Sequence, residues 1–202
     1  MNFCFVYNNL LSASSQPGKN KRTSYYLDLY KENQIKVLVS LYKKIILPKE
    51  YENEFQIYFY PISEIEYPSM EIIDEIVDLI IRHIKKKEPV NVNCAAGIST
   101  SAMILSATLM KLLETNCDDA MNIISKNRYA LEEFEKIFIL REYGKYLAKS
   151  AGIPHTKKQL RSDSKTTGNK SIRKKTQSRN KPKAKLNKKI QKKNQSKKNI
   201  NK

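Results

Sequence analysis

Short apolar runs and helical periodicities alternate along the first 150 residues. We predict strands where apolar residues are clustered or alternate, over residues 3–7, 35–41, 55–60 and 90–93. We predict helices where apolar residues recur every three or four positions, over residues 23–34, 70–87, 101–113, 118–127 and 130–148. Such alternation is typical of an α/β protein with a mainly parallel central sheet flanked by helices.

The helix over residues 70–87 has the clearest pattern. Ser69 is a suitable N-cap, Glu71 suits the positive end of the helix, and Pro89 follows its end. One apolar stripe runs along it, formed by Ile73, Ile76, Val77, Ile80, Ile81 and Ile84. The stripe predicts a helix packed on the sheet, with the strand over residues 90–93 next to it.

A loop of small residues joins the strand over residues 90–93 to the next helix. The strand ends at Cys94, and the loop and first helical residues are Ala95, Ala96, Gly97, Ile98, Ser99, Thr100 and Ser101. Backbone N–H groups at such a loop and helix start point towards one place, which suits an anion. The same place puts a thiol under positive potential, which favours a reactive cysteine.

Each loop residue also has a structural interpretation. Cys94 can be a buried cysteine at a strand end, Gly97 an ordinary turn glycine, and the hydroxyl residues over 99–101 simple helix N-caps. The spacing Cys-x-x-Gly-x-x-Thr-Ser between a strand and a helix favours the anion-binding interpretation for the loop as a whole.

The loop resembles the signature of the cysteine-dependent protein phosphatases, in particular the dual-specificity and archaeal-type tyrosine phosphatase-like members. Their signature is His-Cys, five residues, Arg, then Ser or Thr. Cys94 matches the nucleophile, Gly97 the loop glycine and Ser101 the final hydroxyl, whereas Thr100 stands at the Arg position and Asn93 at the His position. The resemblance implies a tyrosine phosphatase-like fold with a degenerate active site.

The resemblance extends over residues 3–149. The segment Pro61-Ile62-Ser63-Glu64-Ile65-Glu66-Tyr67-Pro68-Ser69 is similar to the family's general-acid segment, with Glu64 at the position of the Asp and Glu66 as a less well aligned alternative. Glutamate is one methylene longer than aspartate, and catalytic geometry is sensitive to shifts of about 1 Å. Both glutamates can equally be ordinary loop carboxylates. Residues 11–17 resemble the family's Ser-x-x-Pro entry segment, and Glu135 replaces a water-positioning Gln.

Charge separates the chain into two parts. The sequence has 38 Lys and Arg against 20 Asp and Glu, a net charge of +18. Residues 156–202 hold 19 Lys or Arg and the single acid Asp163, so they carry the whole excess. This segment has no aromatic residue and few apolar ones, which predicts a disordered basic tail. We therefore expect a phosphatase-like domain over residues 1–150 and a Lys/Arg-rich tail over 151–202, which suits polyanions without base stacking.

Cysteine usage predicts an intracellular protein without a metal or cofactor. Cys4, Cys94 and Cys117 match no zinc spacing and cannot form a complete disulfide set. Cys4 and Cys117 suit structural roles, although Cys117 at a helix start can be partly exposed. No apolar run approaches the ~20 residues of a membrane span. We expect a cytoplasmic protein, or a nuclear one in a eukaryotic cell.

Three functions are compatible with these features. The favoured one is a phosphatase-like protein, inactive or weakly active, that binds phosphorylated protein or another phosphate ligand. The first alternative is an active tyrosine or dual-specificity phosphatase that uses Cys94 as nucleophile, Glu64 as general acid and a lysine in place of the arginine. The second is an RNA- or DNA-associated protein that binds through its basic tail.

Overall fold

A computed structural model describes residues 3–17, 23–63, 66–127 and 134–152. The strands are β1 (Cys4–Tyr7), β2 (Leu11–Ser15), β3 (Val37–Ser40), β4 (Gln56–Phe59) and β5 (Val90–Cys94). The α-helices are α1 (Thr23–Glu32), α2 (Met70–Lys85), α3 (Ser99–Leu112), α4 (Cys117–Asn127) and α5 (Phe134–Ser150). One 3-10 turn, Lys49–Tyr51, lies between β3 and β4.

The five strands form one sheet in the order β1-β2-β5-β3-β4. Only the β1–β2 pair is antiparallel, and the other three pairs are parallel, which confirms the predicted mainly parallel sheet. Strand β5 lies in the middle, with β2 and β3 on its two sides, and all five of its residues are buried. Its carboxyl end is therefore enclosed by its neighbours, where parallel sheets place their ligand sites.

Each face of the sheet has its own apolar core. Alternation along β3 directs Val37 and Val39 into a large cluster with α2, α3, α4 and α5. Leu38 points to the opposite face and packs with Leu27 and Tyr30 of α1. The sheet is thus covered by helices on both sides, as a buried parallel sheet requires.

Helix α2 follows its predicted pattern closely. The six residues of its apolar stripe are all buried. Ser69 caps the helix, its hydroxyl accepting a hydrogen bond from Ile72 N at 3.4 Å. On the polar side Asp74 accepts from Lys111 Nζ at 2.7 Å and from Tyr143 OH at 2.6 Å, which joins α2 to α3 and α5. Burial, and then this bond to Asp74, raise the pKa of the Tyr143 hydroxyl.

Several boundaries differ from the prediction. Residues 11–15 form a strand, β2, that the apolar pattern does not indicate, because Leu11 and Ala13 are its only apolar residues and neither alanine nor serine favours a strand. Helix α3 begins at Ser99 rather than at residue 101. Helix α4 begins at Cys117 rather than at residue 118, and Asn116 caps it, since Asn116 Oδ1 accepts from Asp119 N at 2.9 Å.

Two predicted segments lie wholly or largely outside the described residues. They are the start of the last helix, residues 130–133, and all of the basic tail except Ala151 and Gly152. The described residues belong to one compact unit, Met1–Thr156. No helix in these residues is long and apolar enough to cross a membrane.

Candidate active site

Cys94 lies at the carboxyl end of the central strand and is the first residue of loop 94–101, the segment that runs from this strand into the first turn of α3. Its thiol is 5% exposed and donates to the hydroxyl of Ser101, with Sγ and Oγ 3.4 Å apart. The carbonyl of Cys94 accepts a hydrogen bond from Gln16 N at 2.9 Å, which extends the β2–β5 pairing by one residue. The sheet and the first turn of α3 therefore hold the thiol in a defined position.

Gly97 brings the loop into contact with β2. Its φ of +69° lies in the left-handed region, which favours glycine. A Cβ at this position would lie 2.2 Å from Ser15 N and 2.4 Å from the carbonyl carbon of Ser14, far inside contact distance. Glycine is required here both by the backbone conformation and by the close approach of the neighbouring strand, so the loop bends back over the end of the sheet.

The first turn of α3 faces the end of the loop. Its N-cap is Ile98, whose side chain makes no capping hydrogen bond. Ser99 and Thr100 are helical residues, and Ser101 uses its hydroxyl on Cys94, so the interpretation of residues 99–101 as N-caps is wrong. The side chain of Ile98 offers no acceptor to the first N–H groups of this 14-residue helix, an arrangement that suits an anion.

Asn93, at the position of the family's histidine, is fully buried, and neither amide atom has a hydrogen-bond partner in the described part of the chain. The two hydroxyls on the adjacent strands are used elsewhere. Ser14 bonds Tyr30 OH at 2.6 Å and Asn91 Oδ1 at 3.0 Å, and Ser40 donates to the carbonyl of Lys43 at 2.7 Å. Residues 93 and 94 alternate along the strand, so Asn93 lies on the face of β5 opposite Cys94.

Thr100 is half-buried in the first turn of α3 and brings a neutral hydroxyl to the position of the family's arginine. A threonine has one hydroxyl donor, whereas a guanidinium has a permanent charge and a planar pair of donors for two phosphoryl oxygens. The loop thus ends in a helix start that has a neutral side chain at position 100.

The sequence names three carboxylates for the surroundings of the thiol, Glu64, Glu66 and Glu135. Glu64 lies outside the described residues. Glu66 is exposed, and its backbone N–H donates to Ser63 Oγ at 3.1 Å. Glu135 is exposed in the first turn of α5. The general-acid role of Glu64 therefore stays a prediction.

A lysine contacts the site from α5. Lys136 Nζ donates a hydrogen bond to the hydroxyl of Ser99, in the first turn of α3. The two residues are 37 positions apart, and nothing in their local sequence patterns indicates the contact. The position of a lysine that could replace the arginine is therefore not predictable from the sequence alone.

The other two cysteines lie away from the loop. Cys117 is buried at the start of α4, and burial followed by the nearby Asp118 raises its pKa to about 11. Cys4 is half-buried in edge strand β1. The structural role predicted for Cys117 is consistent with this burial. Within the described ranges, no three His, Cys, Asp or Glu side chains are grouped closely enough to hold a metal ion.

Comparison with known proteins identifies the family. The family model for the dual specificity phosphatase catalytic domain matches residues 18–146. The chain is also similar to the crystal structure of Tk-PTP in its active form, at a TM-score of 0.61 and 19% identity, over 71% of this chain and 97% of that one. No curated protein sequence matches it.

Two further solved structures share the fold. A mouse putative dual specificity phosphatase complexed with zinc tungstate aligns at a TM-score of 0.63 and 17% identity, over 77% of this chain and 94% of that one. A leucine rich repeat and phosphatase domain containing protein from Entamoeba histolytica aligns at 0.58 and 19%, over 74% and 94%. The family model covers well over half of the chain, and the chain therefore belongs to the dual specificity phosphatase family.

Proposed function

We propose that this chain is a catalytically degenerate dual specificity phosphatase that binds phosphorylated protein, or another phosphate ligand, with little or no turnover. One observation carries the proposal. The loop keeps Cys94 in contact with Ser101 and keeps the bend at Gly97, yet the residue between them that should bear the charge is Thr100.

The rate of phosphoryl transfer depends on that charge. Charge spreads over the equatorial oxygens in the transition state, and catalysis is mostly positioning and electrostatic stabilisation. An arginine that stabilises this charge contributes about 10³ to 10⁵ in rate in other phosphoryl-transfer enzymes. A neutral hydroxyl provides no comparable stabilisation, so the wild-type protein is expected to turn over near background.

Ground-state binding of a phosphate is less demanding than catalysis. Backbone N–H groups at a helix start bind anions without any charged side chain. The mouse relative was solved with tungstate, a tetrahedral oxyanion, and this chain has the same fold. Phosphorylated protein is the expected ligand because the chain belongs to the dual specificity phosphatase family, and other phosphate esters fit the same loop chemistry.

Hydrolysis of a small aryl phosphate tests the proposal. Wild-type protein and Cys94→Ser should both show background rates. Thr100→Arg should raise kcat/KM by about 10³, and Asn93→His with Glu64→Asp should increase it further. Binding of phosphotyrosine and phosphothreonine peptides to the wild-type protein, measured by calorimetry against the unphosphorylated peptides, tests the ligand class. Robust wild-type turnover that disappears in Cys94→Ser would sink the degenerate-enzyme proposal.

An active phosphatase is the second candidate, and the thiol favours it. The hydrogen bond from Cys94 to Ser101 supports this candidate, because it orients the thiol even though position 100 has no arginine. In that case Cys94 attacks phosphorus, the ester oxygen leaves with a proton from Glu64, and water then hydrolyses the phosphocysteine. A burst of product equal to the enzyme concentration, followed by slow turnover, distinguishes this candidate from a pure binding protein.

A further inference from the structure

The loop lacks a cation in its own sequence, but the tertiary structure brings one to it. Lys136, in the first turn of α5, contacts the hydroxyl of Ser99. Ser99 opens α3 and directly precedes Thr100, the position that lacks the arginine. The ammonium therefore lies at the start of α3, where backbone N–H groups suit an anion.

Packing of α5 on α3 directs this lysine. Lys136, Leu140 and Tyr143 are spaced i, i+4 and i+7, so they share one face of the helix. Leu140 and Tyr143 are buried in the main core, and Lys136 is half-buried at the same face. On the α3 side, Met110 Cε lies 3.2 Å from the place where a Cβ on Gly144 would be. The two helices pack closely enough to hold the lysine near the loop.

Other basic residues on α3 and α5 are held at different places. Lys111 bonds Asp74 and Asp78, each at 2.7 Å. Arg141 lies 3.8 Å from Asp118 on α4, and Lys145 lies 2.6 Å from Glu142 on its own helix. Lys136 is thus the basic residue of α5 whose hydrogen bond places it at the start of α3.

We propose that Lys136 supplies, from α5, the positive charge for a phosphate bound on loop 94–101. The inference rests on the proposed function, because it names the cation of the same anion site. The hydrogen bond from Nζ to the Ser99 hydroxyl places the positive charge of the ammonium at the first turn of α3, next to Thr100. The ligand class is a tetrahedral oxyanion, either a phosphate monoester or free phosphate.

A lysine at this position explains binding with poor catalysis. An ammonium is a point charge on a flexible stem, whereas a guanidinium holds two oxygens at fixed geometry. The lysine attracts the phosphate dianion in the ground state, but it does not bind the phosphoryl oxygens more strongly as their charge spreads in the transition state. Binding is therefore kept while most of the rate enhancement is lost.

Protection of Cys94 by sodium tungstate tests the proposal. Full-length protein is alkylated with iodoacetamide at increasing tungstate, and peptide mass spectrometry follows Cys94 separately from Cys4 and Cys117. The tungstate Kd of Lys136→Gln should be about fivefold weaker than wild type, since the lost contact is charged but half-exposed. Lys136→Arg should stay within about twofold of wild type.

Two further variants serve as a control and a cross-check. Lys145→Gln removes a charge from the same helix away from the loop, and its Kd should equal that of wild type. In a Thr100→Arg background the arginine already supplies the charge, so Lys136→Gln should change the Kd by less than about twofold. Circular dichroism checks that each variant is folded.

The outcomes separate this inference from the proposed function. Saturable protection in wild type with an unchanged Kd in Lys136→Gln overturns the role of Lys136 and leaves the binding function standing. No protection in wild type, together with protection in Thr100→Arg, overturns both, because Lys136 then fails to replace the arginine. If the loss in Lys136→Gln is matched by Lys145→Gln, general charge rather than this site is responsible, and the inference is wrong. Competition between an aryl phosphomonoester and inorganic phosphate then distinguishes the two ligand sources.

Discussion

The base of loop 94–101 and its polar surroundings differ in how closely they follow the family signature. At the base, Cys94 and Ser101 are in contact and Gly97 bends the chain against β2. Around it, Thr100 replaces the arginine and Asn93 the histidine. The base is tied to the sheet and to α3 by packing, whereas the surroundings depend on charge and hydrogen bonding. The backbone layout of the loop is therefore fixed by contacts that do not involve the side chains at positions 93 and 100.

A substitution at Gly97 should have the largest effect, because it changes the backbone at the base of loop 94–101. Alanine there cannot adopt φ +69° without strain, and its Cβ would overlap the backbone of Ser14 and Ser15. We expect Gly97→Ala to abolish tungstate protection of Cys94. Gly152, with φ +67° and open space around it, is the matched control, and Gly152→Ala should leave protection unchanged. Normal protection in Gly97→Ala would mean that the loop does not depend on this bend.

Removal of residues 156–202 should separate loop binding from tail binding. The tail carries the whole net charge of +18, so its loss should weaken binding to RNA, DNA or heparin by about 10³ at low salt. The affinity of the full chain for nucleic acid should fall steeply between about 50 and about 200 mM salt and should not depend on base sequence. Fluorescence anisotropy measures both.

Tungstate protection of Cys94 should survive the same truncation, since the loop belongs to the compact unit Met1–Thr156. A truncated domain that still binds RNA tightly would show that the nucleic-acid site lies in the domain rather than in the tail, and would favour an RNA phosphate as the ligand.

The three thiols should differ in alkylation rate. The pKa of Cys117 is raised to about 11 from 9.0, mainly by burial, so below pH 9 its thiolate fraction is about 100-fold smaller than that of an ordinary cysteine. We expect Cys94, at the helix start, to react first and Cys117 last. Site-resolved alkylation rates from pH 6 to 9, roughly the span in which ordinary thiols begin to ionise, test the order. Faster labelling of Cys4 or Cys117 would contradict an electropositive loop.

Substitutions of Asn91 and Asn93 should have the smallest effects, which are on the free energy of unfolding. Both are fully buried on one face of β5, but Asn91 bonds Ser12 and Ser14, whereas the amide of Asn93 has no partner in the described chain. An unpaired buried amide costs about 1–3 kcal/mol, so Asn93→Leu should raise the free energy of unfolding by up to that amount. Asn91→Leu should lower it by a similar amount, because it removes the two buried hydrogen bonds that Asn91 makes with Ser12 and Ser14. Urea denaturation measures both, and equal losses in the two variants would show that Asn93 is bonded in solution.

Much of the fold could be predicted because its signals are local. The apolar stripe of α2, its Ser69 cap and the strand–loop–helix around Cys94 are each encoded within about 20 consecutive residues. Strand β2 was missed because Ser12 and Ser14 occupy strand positions that a half-polar pattern does not identify as buried. They are buried because β5 lies beside them, and their hydroxyls have buried partners there, Asn91 for both serines and Tyr30 for Ser14.

By itself, the sequence determined the layout of the loop and the absence of its arginine, since both are read from eight consecutive residues, Cys94 to Ser101. The tertiary structure decided what surrounds the loop. It engaged Ser14 and Ser40 elsewhere, so that the Asn93 amide has no partner among the residues that the structure describes, and it brought Lys136 to Ser99 across 37 residues. Periodicity specifies which face of each element is buried, but the packing of distant elements chooses the partners that polar groups meet.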